Sequence, residues 1–88
     1  MYNLILSSKS GKSLNKLKKK DKKSFEIVIK HLENLSHNPK NYGKPLTSNL
    51  AGLWSYRSAD FRIIYQTEEN KLIVFVIEIE HRKNVYDR

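Results

Sequence analysis

Phe61-Arg62-Ile63-Ile64-Tyr65-Gln66-Thr67, followed after Glu68-Glu69-Asn70-Lys71 by Leu72-Ile73-Val74-Phe75-Val76-Ile77-Glu78-Ile79, decides the fold. Both stretches are rich in β-branched and aromatic residues, which suit a pleated backbone. The link between them is too short for a helical crossover, so the pair predicts an antiparallel hairpin. Leu53 to Arg57, joined to Phe61 through Ser58-Ala59-Asp60, adds a further strand on the same terms. Leu72 to Ile77 is apolar at every position, which predicts a central strand covered on both faces.

Upstream, Asn41 to Gly52 carries Gly43, Pro45, Asn49 and Gly52 and predicts a long irregular connection, a feature often tied to function. Before it, Phe25, Val28, Ile29, Leu32 and Leu35 recur at helical steps behind a capping Asp21, and Asn38-Pro39 ends the helix. Tyr2 to Leu6 reads as a first strand. Ser8, Ser10 and Gly11 break it before a lysine-rich helical stretch with apolar contacts at Leu14 and Leu17. Strand, helical hairpin and successive antiparallel strands make an α+β fold: one sheet, helices packed on one face, and a short C-terminal tail or helix. The 88 residues suffice for one domain, 1–88, with one modest core.

The chain has no cysteine, so neither disulfides nor thiolate metal sites support the core, and the cytoplasm is the default compartment. The apolar start, Met1 to Leu6, is too short for a signal segment or a membrane span. The net charge of +8 is uneven: residues 1–23 hold eight lysines and one aspartate. Such a field attracts polyanions, nucleic acid foremost, although a solvated lysine-rich helix surface reads the same way. Lys16 to Lys23 lacks the apolar stripe of a membrane-surface helix.

On a period of two, Arg62, Ile64 and Gln66 share one strand face, and Phe61, Ile63, Tyr65 and Thr67 share the other, which is the expected helix-facing core. Arg62 then projects from the opposite face, offering a fork of donors suited to phosphate, or pairing with Asp60, Glu78 or Glu80. His81, Arg82 and Tyr86 follow the last strand and are placed to curl over the Arg62 face, unless the terminus simply frays. Nearby positive charge favours phenolate, and a phenol also stacks on bases. His31 and His37, six apart, do not align as metal ligands, no Gly-rich phosphate loop is present, and Ser55 and Ser58 lack a His-carboxylate pair. Trp54 opens an apolar strand and reads as a core or groove-lining side chain.

Four elements in order resemble the RelE/ParE superfamily, and within it the RelE-type ribosome-dependent mRNA-cleaving toxins. They are Lys44-Pro45-Leu46, Gly52-Leu53-Trp54, Phe61-Arg62, and His81-Arg82 with Val85-Tyr86. The resemblance covers Tyr2 to Tyr86. It implies cleavage of mRNA in the ribosomal A site by attack of a ribose 2′-OH on the adjacent phosphate, with Arg62, Arg82 and Tyr86 catalytic and no metal or cofactor. Arg57, His81, Lys83, Lys44, Lys16, Lys19 and Lys20 are the implied RNA contacts. The implied partners are a RelB-like antitoxin, the ribosome with its mRNA, and operator DNA for the toxin–antitoxin complex. This sequence departs from many relatives at Leu53 and Ser55, where they carry basic side chains; the general base is therefore open, with His81 a candidate. A ParE-like inhibitor of DNA gyrase that is not an enzyme, and a catalytically silent RNA-binding module, share the same fold.

Overall fold

A computed structural model describes residues 1–58 and 60–81. The chain runs β1 (Asn3–Leu6), α1 (Ser8–Lys20), α2 (Lys22–His37), α3 (Pro39–Tyr42), β2 (Lys44–Pro45), β3 (Trp54–Arg57), β4 (Phe61–Glu68) and β5 (Ile73–His81), with short 3-10 turns at Ser48–Leu50 and Glu69–Lys71. The strands form one mixed sheet in the order β1-β5-β4-β3-β2, in which β1 pairs parallel with β5 and every other pair is antiparallel. The expected α+β architecture, with helices over one sheet face, is the observed one.

The core lies between α2 and the sheet. Val28, Leu32 and Leu35 from α2 pack on Phe61, Ile63 and Tyr65 of β4 and on Val74, Val76 and Ile79 of β5, with Leu14, Leu17, Ile29, Trp54 and Tyr56 partly buried around them. Burying each large side chain is worth roughly 1.5–3 kcal/mol, so this helix-facing stripe dominates folding. Ile64 is also buried but stands outside that cluster, as the alternation on β4 requires. Asp21 caps α2 as expected: Ser24 donates to it from its backbone N–H at 3.1 Å and from its hydroxyl at 2.6 Å.

Four expectations change. Ser8, Ser10 and Gly11 do not form a break ahead of the helix but lie within α1, because Ser7 takes the capping position and accepts from the Ser10 N–H. The Ser10 hydroxyl is fully buried and donates to the Val76 carbonyl at 2.9 Å, while Ser7 Oγ donates to the Ile77 carbonyl at 2.6 Å. These contacts satisfy β5 where β1, whose last paired residue is Leu6, no longer covers it. The stretch from Asn41 to Gly52 is not wholly irregular: α3 ends in it, and Lys44–Pro45 adds an edge strand. A two-residue strand whose second member is proline carries almost no periodic signal and is confined to an edge.

The other two changes concern β5. It lies inside the sheet next to the middle strand β4, and it is covered on one face only: Phe75 is 39 % exposed on the face away from the helices. Leu72 belongs to the turn, with φ 52°, since so short a link forces one residue into the left-handed region. Pairing shifts between Ile64 and Tyr65, whose partners are Glu78 and Val76, so Ile77 is an inserted residue. This bulge explains how an unbroken apolar run ends in outward-facing glutamates.

Candidate functional site

The open sheet face is built by register. Arg62 on β4 lies directly opposite Arg57 on β3 and Glu80 on β5; Ile64 lies opposite Ser55 and Glu78; Lys44 on β2 lies opposite Ser55. Cross-strand partners point to the same side, so Lys44, Arg57, Arg62, Glu78 and Glu80 share one face. Arg57, Arg62, Lys44 and Ser55 line a groove of about 430 Å³ together with Tyr42, Pro45 and Leu46. That volume lies within the usual range for small-molecule sites, roughly 300–1,000 Å³.

Charge on this face is arranged in a chain. Lys9 Nζ lies 3.0 Å from Glu78, and a guanidinium nitrogen of Arg62 lies 2.8 Å from Glu80. The Glu78 carboxyl is held below the usual carboxylate range, first by its hydrogen-bonding contact with Glu80, then by Lys9 and by Arg62. Those four groups sum to zero. Among the described residues neither Arg57 nor Lys44 has a carboxylate within ion-pair distance, so the groove keeps two uncompensated cations. Two buried polar atoms in the groove, Arg62 Nε and Ser55 Oγ, also lack a hydrogen-bond partner among the described residues. Positive charge without a carboxylate partner is what an anionic ligand entering this groove would complete.

The sequence-derived candidates separate into groups. Arg62, Arg57 and Lys44 come together. Arg62 faces the open side as expected, and of the two readings offered for it the structure shows the ion pair, with Glu80. His81 does not join them: it is opposite Phe61, and its ring meets the Phe61 ring edge-on at 4.8 Å, on the helix side of the sheet. It also lies close enough to Asp21 to help lower that carboxyl, after the two Ser24 hydrogen bonds. The alternation of β5 beyond its bulge turns residue 81 away from Arg62, which removes the geometric basis for His81 as a base acting at that guanidinium.

Lys16, Lys19 and Lys20 are exposed on α1. Seven and eleven residues from Lys9, Lys16 and Lys20 fall on its stripe of the helix, the flank that reaches Glu78; Lys19 points elsewhere. Arg82, Lys83 and Tyr86 lie outside the described residues. Two residues that shape this region, one paired with Arg62 and one lining the groove, are not singled out by the sequence. Glu80 is there only one of three possible partners for Arg62, and register alone selects it. Tyr42 sits in a stretch that reads as loop, and its only signal is an aromatic residue just before Gly43-Lys44-Pro45.

On the helix side of the groove, aromatic rings fix its wall. Tyr42 stacks on Tyr56 with centroids 6.0 Å apart, and Tyr56 is hydrogen-bonded to His31 Nδ1 at 3.0 Å. Desolvation, with the Lys30 charge adding, lowers the His31 pKa, so its imidazole is neutral at physiological pH. Beneath them the fully buried Tyr65 hydroxyl donates to the Pro39 carbonyl, and burial first, then Tyr56, pushes its pKa up to about 12. A Cβ on Gly43 would collide with that hydroxyl, so only glycine allows the chain to close over Tyr65.

A small basic α+β protein with one open sheet face and a cationic, polar groove is thus defined by fold and site. The chain belongs to the ParE toxin family of type II toxin-antitoxin systems, whose model, described as the ParE toxin of parDE, matches residues 4–86. It is 31% identical over 86 residues to the toxin RelE of Mycobacterium tuberculosis, spanning 97% of this chain and 86% of that protein. A match to the toxin RelG of the same organism, 35% identical over 54 residues, spans 61% of this chain and 62% of RelG, less than two thirds of its length. The fold is similar to a chain of the toxin-antitoxin complex RelBE2 from Mycobacterium tuberculosis, with a TM-score of 0.83, 27% identity, and coverage of 92% of this chain and 98% of that one. Among the described residues no helix is long and apolar enough to cross a membrane.

Proposed function

We propose that this toxin is a ribosome-dependent endoribonuclease that cleaves mRNA in the A site. The observation that carries the reading is the cross-strand pair Arg57 and Arg62, joined by Lys44 in one groove on the open face. Attack of a ribose 2′-OH on the neighbouring phosphate builds negative charge on a pentacoordinate phosphorus, and preorganised guanidiniums stabilise charge that develops in the transition state. Arg62 takes that role with Arg82, and Tyr86 stacks on a nucleotide or moves a proton. Arg57, Lys44 and Lys83 hold flanking phosphates, and His81 contacts RNA only from the strand end. The α1 stripe of Lys16 and Lys20, with Lys19 beside it, tracks ribosomal RNA, and the protein acts in the cytoplasm as one domain spanning 1–88. A RelB-like antitoxin holds it inactive, and that complex binds operator DNA.

A translating extract tests this reading. New message ends form only when ribosomes engage the RNA, and they disappear with Arg62→Ala. The matching family model is described as a ParE toxin, which keeps one other reading from the resemblance open, a ParE-like inhibitor of DNA gyrase that binds without catalysis. Supercoiling by purified gyrase separates the two: arrested gyrase with intact messages overturns the nuclease. Intact messages, active gyrase and tight RNA binding would mean a silent RNA-binding module.

A further inference from the structure

We infer that Tyr42 is a nucleobase platform, so that the groove holds one base of single-stranded RNA as well as its phosphate. The inference rests on the proposed action on RNA and adds a subsite to it. Tyr42 is 47 % exposed, whereas Tyr65 and Phe61, which form part of the core, are at 0 % and 2 %. Its exposure is not looseness. Pro39 starts α3, the Tyr65 hydroxyl holds the Pro39 carbonyl, Gly43 closes the chain onto that hydroxyl, and Tyr56 backs the ring at an interplanar angle of 20°. A flat ring supported on one side, nearly half exposed, and lining the same groove as Lys44, Arg57 and Arg62 is the arrangement by which proteins take unpaired bases: stacking for the base, cations for the backbone.

Ser55 lines the same groove, with its Oγ buried and without a hydrogen-bond partner among the described residues. Stacking alone tolerates every base, so the platform distinguishes a base from no base and not one base from another.

The probe is a short single-stranded RNA carrying the fluorescent base 2-aminopurine at one position, compared with the same RNA made abasic there. Full-length protein binds the base-bearing RNA roughly 5- to 150-fold more tightly, the range that stacking supplies per base, and quenches its fluorescence. Tyr42→Ala abolishes that preference and the quench, while Tyr42→Phe, which keeps the ring, restores both. Equal binding of the two RNAs by the native protein at every probe position, or a preference that survives Tyr42→Ala, overturns the platform. If Tyr42→Ala loses both RNAs through damage to the fold, Tyr42→Leu, which keeps bulk without a flat ring, decides by the same comparison. Arg62→Ala separates this failure from failure of the groove: with the platform wrong but the groove right it weakens both RNAs alike, and with the groove wrong it changes neither.

Discussion

Replacing Glu80 with glutamine should make RNA binding tighter. Glu80 occupies one nitrogen of the Arg62 guanidinium at 2.8 Å, so a phosphate entering the groove must displace or share it. The two side chains are 33% and 22% exposed, between a surface pair and a buried one. Exposed pairs contribute roughly 0.2–1 kcal/mol, and breaking buried ones costs about 3–5 kcal/mol. An intermediate cost of about 1–2 kcal/mol corresponds to roughly 5- to 30-fold in affinity. Glutamine keeps the volume and an accepting oxygen, so Arg62 stays in place without its neutralising charge. Anisotropy of a labelled single-stranded RNA at low salt reads the change, which shrinks as salt rises. Glu78→Gln is the internal comparison, because Glu78 pairs with Lys9 and should give a smaller gain. Unchanged or weaker binding by Glu80→Gln would show that the carboxylate does not compete with phosphate, and that Arg62 is an element of the sheet.

Gly43→Ala should destabilise the fold by about 1–3 kcal/mol or more, seen as a lower denaturant midpoint, because the new methyl meets the buried Tyr65 hydroxyl. Stability should fall as pH rises from about 10 to about 12: the unfolded Tyr65 releases its proton near 10 and the folded one near 12, so the unfolded state binds fewer protons in that window. The loss amounts to roughly 2–3 kcal/mol and is absent from the difference curve of Tyr65→Phe. His31 has the opposite sense: its lowered pKa confers stability above the unfolded value of about 6.5 that is lost as pH falls through the folded one, and a His31→Asn variant flattens that acid limb. Replacing Lys16 and Lys20 by alanine should make the salt dependence of RNA binding shallower, by roughly 0.7 to 0.9 in log–log slope for each phosphate no longer neutralised, and Lys19→Ala should change it least.

The strands β4 and β5, the capped α2 and the outward direction of Arg62 were legible because each rests on a pattern that burial enforces residue by residue: alternation on β4, an unbroken apolar run on β5 and helical spacing behind Asp21. The ends of the structure were not. Ser10 looks like a breaker in sequence, yet a hydroxyl that finds the Val76 carbonyl is at home inside a helix. Lys44–Pro45 could not be read as a strand, since its only support is the register it borrows from β3. The sequence lets His81, at the end of the last strand, curl over the Arg62 face; the bulge at Ile77 together with the Phe61 contact puts it on the other face. For Arg62 the sequence offered three carboxylate partners; only a register resolves which of them lies opposite, and that is Glu80.

The groove and the core depend on one fixture, and this is why the region between α2 and β3 matters more than its irregular sequence suggests. The Tyr65 ring fills the core with no exposure, while its hydroxyl reaches out to Pro39 at the start of α3 and lies under Gly43 at its end. The two residues that follow from that fixture, Tyr42 and Lys44, stand at the rim of the groove. Tyr65→Phe removes the hydroxyl, leaves the buried Pro39 carbonyl without its partner, and costs roughly 1–3 kcal/mol. If the fixture positions the rim, that variant also lowers RNA affinity although Tyr65 itself stays in the core and touches no ligand. A Tyr65→Phe protein that unfolds earlier yet binds RNA with native affinity would separate the two roles, and the rim would then be held by the Tyr42–Tyr56–His31 stack alone.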